Sequence, residues 1–66
     1  MMEKEYVDLD NCTILAESDM AFRVEYEGDI QWIAKSQIEQ HDYLDVGDED
    51  VNISVTEWLC ERIGWE

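Results

Sequence analysis

Apolar positions along the chain fall into short runs of different period, and the runs predict its elements. The clearest is Met20, Phe22, Val24 and Tyr26 alternating with Ala21, Arg23, Glu25 and Glu27. That is the period of two expected of a half-buried strand. A second alternation sets Ile30, Trp32 and Ala34 against Gln31, Ile33 and Lys35, and Glu27-Gly28-Asp29 between the two runs predicts a hairpin. A slip of one residue turns a strand over, so the faces choose the register. A three-residue loop at 27–29 pairs Tyr26 with Ile30, Val24 with Trp32 and Phe22 with Ala34, all apolar and on one face. A two-residue loop sets Val24 against Gln31 instead. The pattern favours the three-residue loop, although Gly28 is then outside the left-handed slot such loops reserve for glycine.

Upstream, Thr13-Ile14-Leu15-Ala16 reads as a short strand followed by turn chemistry at Ser18-Asp19, while Tyr6-Val7-Asp8-Leu9 is too short to assign. The C-terminus carries a helix signature of about nine residues, which needs packing to hold it. Ser54 and Glu57 form a capping box, Ile53 and Trp58 a hydrophobic staple, and Gly64 a C-terminal stop. Leu59 and Ile63 lie one turn apart, and Val51 and Ile53 suggest a strand leading in. Residues 39–50, rich in Asp and Glu, read as a solvated loop with room for a helical turn. The predicted fold is α+β: a three- or four-stranded antiparallel sheet with one C-terminal helix packed on it. All 66 residues fit one small domain, 1–66.

Charge changes the picture most. Eighteen Asp and Glu face four Lys and Arg, a net charge of −14. The area scaling law gives a folded surface of about 4,400 Å², or one net negative charge per roughly 300 Å². Solubility alone asks for a net charge of magnitude about 2–8. Such a surface repels nucleic acid and anionic membrane, so the natural complement is a strongly basic partner. No apolar run approaches the roughly 18 residues of a membrane span. The acidic N-terminus has no signal-peptide character. A cytoplasmic setting is expected, with Cys12 and Cys60 reduced.

Most other chemistry fails on spacing. An EF-hand starting at Asp42 places Gly47 correctly but has Leu44, Val46 and Ile53 where oxygen ligands belong. Starting at Asp48, Ile53 falls where glycine is required. Cys12, His41 and Cys60 are too scattered for a zinc site and read as two buried or half-buried thiols and an exposed histidine. No metal or other cofactor is expected. Asn11-Cys12-Thr13 and Asn52-Ile53-Ser54 match the glycosylation pattern by chance. Phe22, Tyr26, Trp32 and Trp58 are expected in the core and Trp65 at the surface.

The remaining signal is the acids. Glu25, Glu27 and Asp29 cluster at the hairpin tip, and Asp42, Asp45, Asp48, Glu49 and Asp50 in the following loop. Duplex DNA carries one charge per about 1.7 Å, so fourteen charges match roughly 24 Å of duplex. These eight carboxylates are the expected partner-binding residues of a polyanion mimic.

Two stretches carry a resemblance. Glu25 to Ile38, with Trp32-Ile33-Ala34-Lys35-Ser36 at its centre, is similar to a hairpin of small phage and bacterial proteins that reads W-I-P-K-S after a glycine turn. Here Ala34 stands in place of the proline. Val51 to Gly64 resembles the strand and W-L-A helix that end those proteins. The resemblance implies a mobile-element origin and supplies no catalytic residue. Size and acidity also look like the DNA-mimic inhibitors, anti-CRISPR and anti-restriction proteins, a group that shares charge and no motif. That likeness implies a non-enzymatic inhibitor occupying the cationic DNA-binding surface of a CRISPR effector complex or similar basic protein, without binding nucleic acid itself. An acidic adaptor or subunit that binds its partner through the aromatic face and Trp65 is the alternative.

Overall fold

A computed structural model describes residues 5–65. Four strands, β1 (Tyr6–Glu17), β2 (Ala21–Tyr26), β3 (Asp29–Ala34) and β4 (Val51–Thr56), precede one helix, α1 (Glu57–Ile63). Single 3₁₀ turns at Lys35–Gln37 and His41–Tyr43 link β3 to β4. The strands form one antiparallel sheet in the order β3-β2-β1-β4. The fold is α+β, with four strands and the C-terminal helix touching β4 and β1.

β1 organises the sheet. Its first half pairs with β4 (Val7 with Val55, Leu9 with Ile53) and its second with β2 (Ile14 with Val24). Between Leu9 and Cys12 the register slips at a bulge, and Asn11 takes a left-handed φ of 59°. The extra residue keeps Cys12 and Ile14 on the buried face of Leu9. Sequence alternation breaks at this point, which is why Tyr6–Leu9 and Thr13–Ala16 read as separate pieces when they are one strand. A second slip between Ile14 and Ala16 adds to the bend, as bulges do. The asparagines of both glycosylation-like triplets meet here: the Asn11 amide donates to Oδ1 of Asn52, 3.3 Å away.

The core is the inner face of this bent sheet, Leu9, Cys12, Ile14, Phe22, Val24, Ile33, Ile53 and Val55, closed over by Ile38, Leu44, Cys60 and Trp65. The 39–50 segment is therefore more than a solvated loop, because Leu44 anchors it to the core. Its backbone also joins the sheet. The Ile14 amide donates to Asp48 O at 2.9 Å, and the Gly47 amide to Ile14 O at 2.8 Å.

The hairpin register differs from expectation. Tyr26 pairs with Asp29, Val24 with Gln31 and Phe22 with Ile33, so the loop is the two residues Glu27-Gly28. Both have positive φ, 52° and 82°, as a type I′ turn requires. Ile33 thus faces inward, while Trp32 is 52% and Ile30 42% exposed on the opposite face. The inner space that the other register gives to Trp32 is taken by Trp65, only 4% exposed. The core and surface assignments of Trp32 and Trp65 are exchanged relative to the sequence reading.

The helix start also moves. Thr56 caps α1, its hydroxyl accepting from the Leu59 amide at 3.4 Å and donating to Gln37 Oε1 at 2.5 Å. Ser54 stays in β4 and donates to Asp8 Oδ1 at 2.6 Å. Because Val55 and Thr56 still pair with β1, the strand outruns the Ser54 cap. Trp58 is 59% exposed, so the staple with buried Ile53 does not form. The C-terminal stop is as predicted, with Gly64 left-handed at φ 78°.

Ala34 ends β3 with φ −60° and ψ 135°, inside the range proline imposes. Its N–H points away from β2, since the ladder alternates and the Lys35 amide is the one bonded to Met20 O. Ala34→Pro is expected to leave stability unchanged or raise it by about 0.4–1 kcal/mol. A thermal melt checks this, and a clear fall in Tm contradicts it.

Candidate functional site: the acidic flanks of the central strand

The two acidic clusters sit on opposite flanks of β1. Glu25 is the β2 partner of Thr13, and the 48–50 segment runs along the other side, bonded at Ile14. Two strand spacings, about 10 Å, separate these backbones. Segments far apart in sequence thus place Glu25, Asp48, Glu49 and Asp50 around one strand. Glu27, Asp29, Asp42, Asp45, Glu49 and Asp50 are exposed, whereas Glu25 and Asp48 are half-buried.

The eight residues are not equivalent. Asp29 lies on the inner side of β3 and anchors Trp65, whose Nε1 donates to Asp29 Oδ2 at 2.7 Å. Gln31 Nε2 donates to the same oxygen at 3.3 Å. These donors, Trp65 foremost, hold the Asp29 carboxyl below its ordinary value of 3.8. Asp48 closes its own turn: its Oδ2 accepts from the Asp45 amide at 3.0 Å, and its amide donates to Asp45 O at 3.1 Å. Asp42 Oδ1 is 3.4 Å from His41 Nδ1. Glu25, Glu27, Asp45, Glu49 and Asp50 are the carboxylates best placed to meet a partner, with Asp42 beside them in the loop. Other acids lie outside both clusters, Asp8 on Ser54 and Glu17 on Lys35 among them.

Two of the cations are engaged within the chain, while Arg23 is exposed on β2. Lys35 pairs with Glu17 at 2.6 Å and lies 5.1 Å from the Phe22 ring centroid. Arg62 stacks on Trp58 at 5.0 Å. Over the 4555 Å² accessible surface, one net negative charge falls on roughly each 325 Å².

No protein-family model, curated protein or solved structure matches this chain.

A cleft of about 240 Å³ opens between Tyr26, Glu27, Asp29, Gly64 and Trp65, smaller than the roughly 300–1,000 Å³ of ligand pockets. Among the described residues, no group of three or more His, Cys, Asp and Glu side chains is arranged to hold a metal ion. No described helix is long and apolar enough to cross a membrane. Cys12 and Cys60 are thiols, not a disulfide, and both are fully buried. Burial, then Asp10 and Cys60, pushes the Cys12 thiol up to about 11, so at pH 8 only about one thiol in a thousand is ionised. Cys12 should react with a disulfide reagent no faster than the chain opens. Rapid labelling of the folded protein contradicts the burial. The unfolded thiol ionises near 9.0 and the folded one near 11. The unfolded state therefore binds fewer protons above pH 9, and stability falls as pH rises through that window.

The sequence reading missed the anchoring role of Trp65. The signal was present: a helix stopped by glycine often folds the next residue back onto its last turn. Here the amides of Gly64 and Trp65 both donate to Cys60 O, the latter at 2.9 Å.

Proposed function

We propose that this chain is a non-enzymatic DNA mimic of the anti-CRISPR kind. It occupies the cationic surface on which a nucleic-acid-targeting complex holds DNA. The observation that carries the reading is the net charge of −14 on a 66-residue domain. Acids from the hairpin and the 42–50 loop flank one strand, and Lys35 and Arg62 are folded onto rings of the chain itself. Carboxylates facing Lys and Arg side chains that otherwise grip phosphates give fast, salt-sensitive association. The molecule measures 36 × 23 × 16 Å, long enough for the roughly 24 Å of duplex whose charge it matches.

The test is capture from the lysate of a bacterium carrying CRISPR systems, with duplex DNA as competitor. The captured complex should be released by DNA and by raised salt. Capture indifferent to both contradicts the proposal.

A second reading, an acidic adaptor that docks through aromatic side chains, gains support from Trp32 and Trp58, 52% and 59% exposed. Trp65 no longer belongs to it, being buried. Salt separates the readings, since an apolar interface keeps its affinity where a charge-driven one loses it.

A further inference from the structure

The geometry points to the free edge of β3 as a docking strand for an extended basic segment of a partner protein, added to the sheet as a fifth strand. This inference requires the chain's net charge and a bare edge, and is independent of DNA mimicry.

The two sheet edges are unlike. The β4 edge is covered: Ile38 bridges Val55, the Glu39 amide donates to Ser54 O at 2.8 Å, and Tyr43 Oη donates to Asn52 O at 2.6 Å. Among the described residues, β3 has no strand beyond it. In a two-residue hairpin the closing pair, Tyr26 and Asp29, is the hydrogen-bonded one. Alternation then assigns Gln31 and Ile33 to the β2 ladder and turns the N–H and C=O groups of Ile30, Trp32 and Ala34 outward, the Ile30 N–H within reach of the Asp29 carboxylate and those of Trp32 and Ala34 facing the open edge. The Lys35 amide, donating to Met20 O at 2.8 Å, fits the same alternation.

Sheet edges are ordinarily guarded by charge, proline or a bulge. In a chain with 33% charged residues, Ile30 to Ala34 contain no charge and no proline, and β3 pairs with β2 without a register slip. The residues with outward backbone groups also carry the exposed apolar side chains, Ile30 and Trp32. Strand addition uses this pairing of backbone bonds for affinity and alternate side chains for specificity.

Charge selects the occupant. A second copy brings another −14 and is repelled. Glu25 faces Ile30 across the ladder, and Glu27 and Asp29 stand at the hairpin end of the edge. A segment alternating apolar residues with Lys or Arg completes the ladder with its apolar side chains resting on Trp32, and its cations then point to the opposite face, where Asp29 lies, with Glu27 in the adjoining turn.

The probe is an alternating Lys-Val peptide, compared with Glu-Val and proline-interrupted Lys-Val peptides of equal length, followed by amide NMR and hydrogen exchange. Binding of the Lys-Val peptide should slow exchange at Ile30, Trp32 and Ala34 at least tenfold, leaving Gln31 and Ile33 little changed. The two control peptides should not do this. Ala34→Pro, which leaves the fold intact, should weaken peptide binding at least several-fold. Three results overturn the inference: no binding, binding that protects the 42–50 loop without β3, or affinity unchanged in Ala34→Pro. Protection of the same three amides by protein concentration alone would make a second copy the occupant and also overturn it. Loss of DNA mimicry in the lysate experiment leaves this test unaffected.

Discussion

Replacing Trp65 with alanine should leave the chain largely unfolded. Its indole is 4% exposed, lies 5.4 Å from the Tyr26 ring and donates to Asp29. Truncating a buried tryptophan costs about 3–5 kcal/mol. A chain of this length holds only about 3–10 kcal/mol in total. Urea denaturation followed by circular dichroism measures the loss, and a variant as stable as the parent shows that Trp65 is not core. Trp65→Phe keeps a ring but loses the donor, so a smaller loss is expected, together with a change in acid sensitivity. The folded Asp29 carboxyl sits below its ordinary 3.8, mainly through Trp65. It contributes stability above that value and loses it as pH falls through the folded pKa. In Trp65→Phe this acid-side loss should shrink.

The dependence on Trp65 explains what was legible in the sequence. Strand β2 could be read because Phe22 and Val24 bury on a strict period of two. The C-terminal stop could be read because Gly64 marks it chemically. Strand β3 could be located but not oriented, since Ile30, Trp32 and Ala34 form the longer apolar set while Ile33 alone faces the core. What decides the face is Trp65, over thirty residues downstream, which needs Asp29 on the inner side to accept its N–H. A local pattern holds no trace of that contact. The β1 bulge is similar, because the phase change at Asn11 has meaning only beside Asn52 and β4. For the site, composition pointed to both acidic clusters. It could not tell that Asp29 and Asp48 serve the fold, because their partners are an indole and a backbone amide supplied by the tertiary structure.

That division sets the second large prediction. Neutralising Glu25, Glu27, Asp42, Asp45, Glu49 and Asp50 to Gln or Asn, with Asp29 and Asp48 retained, takes the formal net charge from −14 to −8. The fold should survive and gain slightly, because like charges in a small domain repel. Binding to a cationic groove should fall at least about tenfold, since six ion pairs at roughly 0.2–1 kcal/mol each account for that loss. Circular dichroism and a thermal melt check the first expectation, and titration against the captured complex the second. Full affinity in a well-folded variant means that the acids serve solubility and the aromatic face does the binding.

Mutual exclusion is the most direct test. A labelled target duplex is bound to the captured DNA-binding complex, and the chain is titrated in while fluorescence anisotropy follows the duplex. The account predicts that the duplex is released as the chain binds and that the six-site variant releases little. Stable co-occupancy of duplex and chain on one complex, or equal release by the six-site variant, contradicts it.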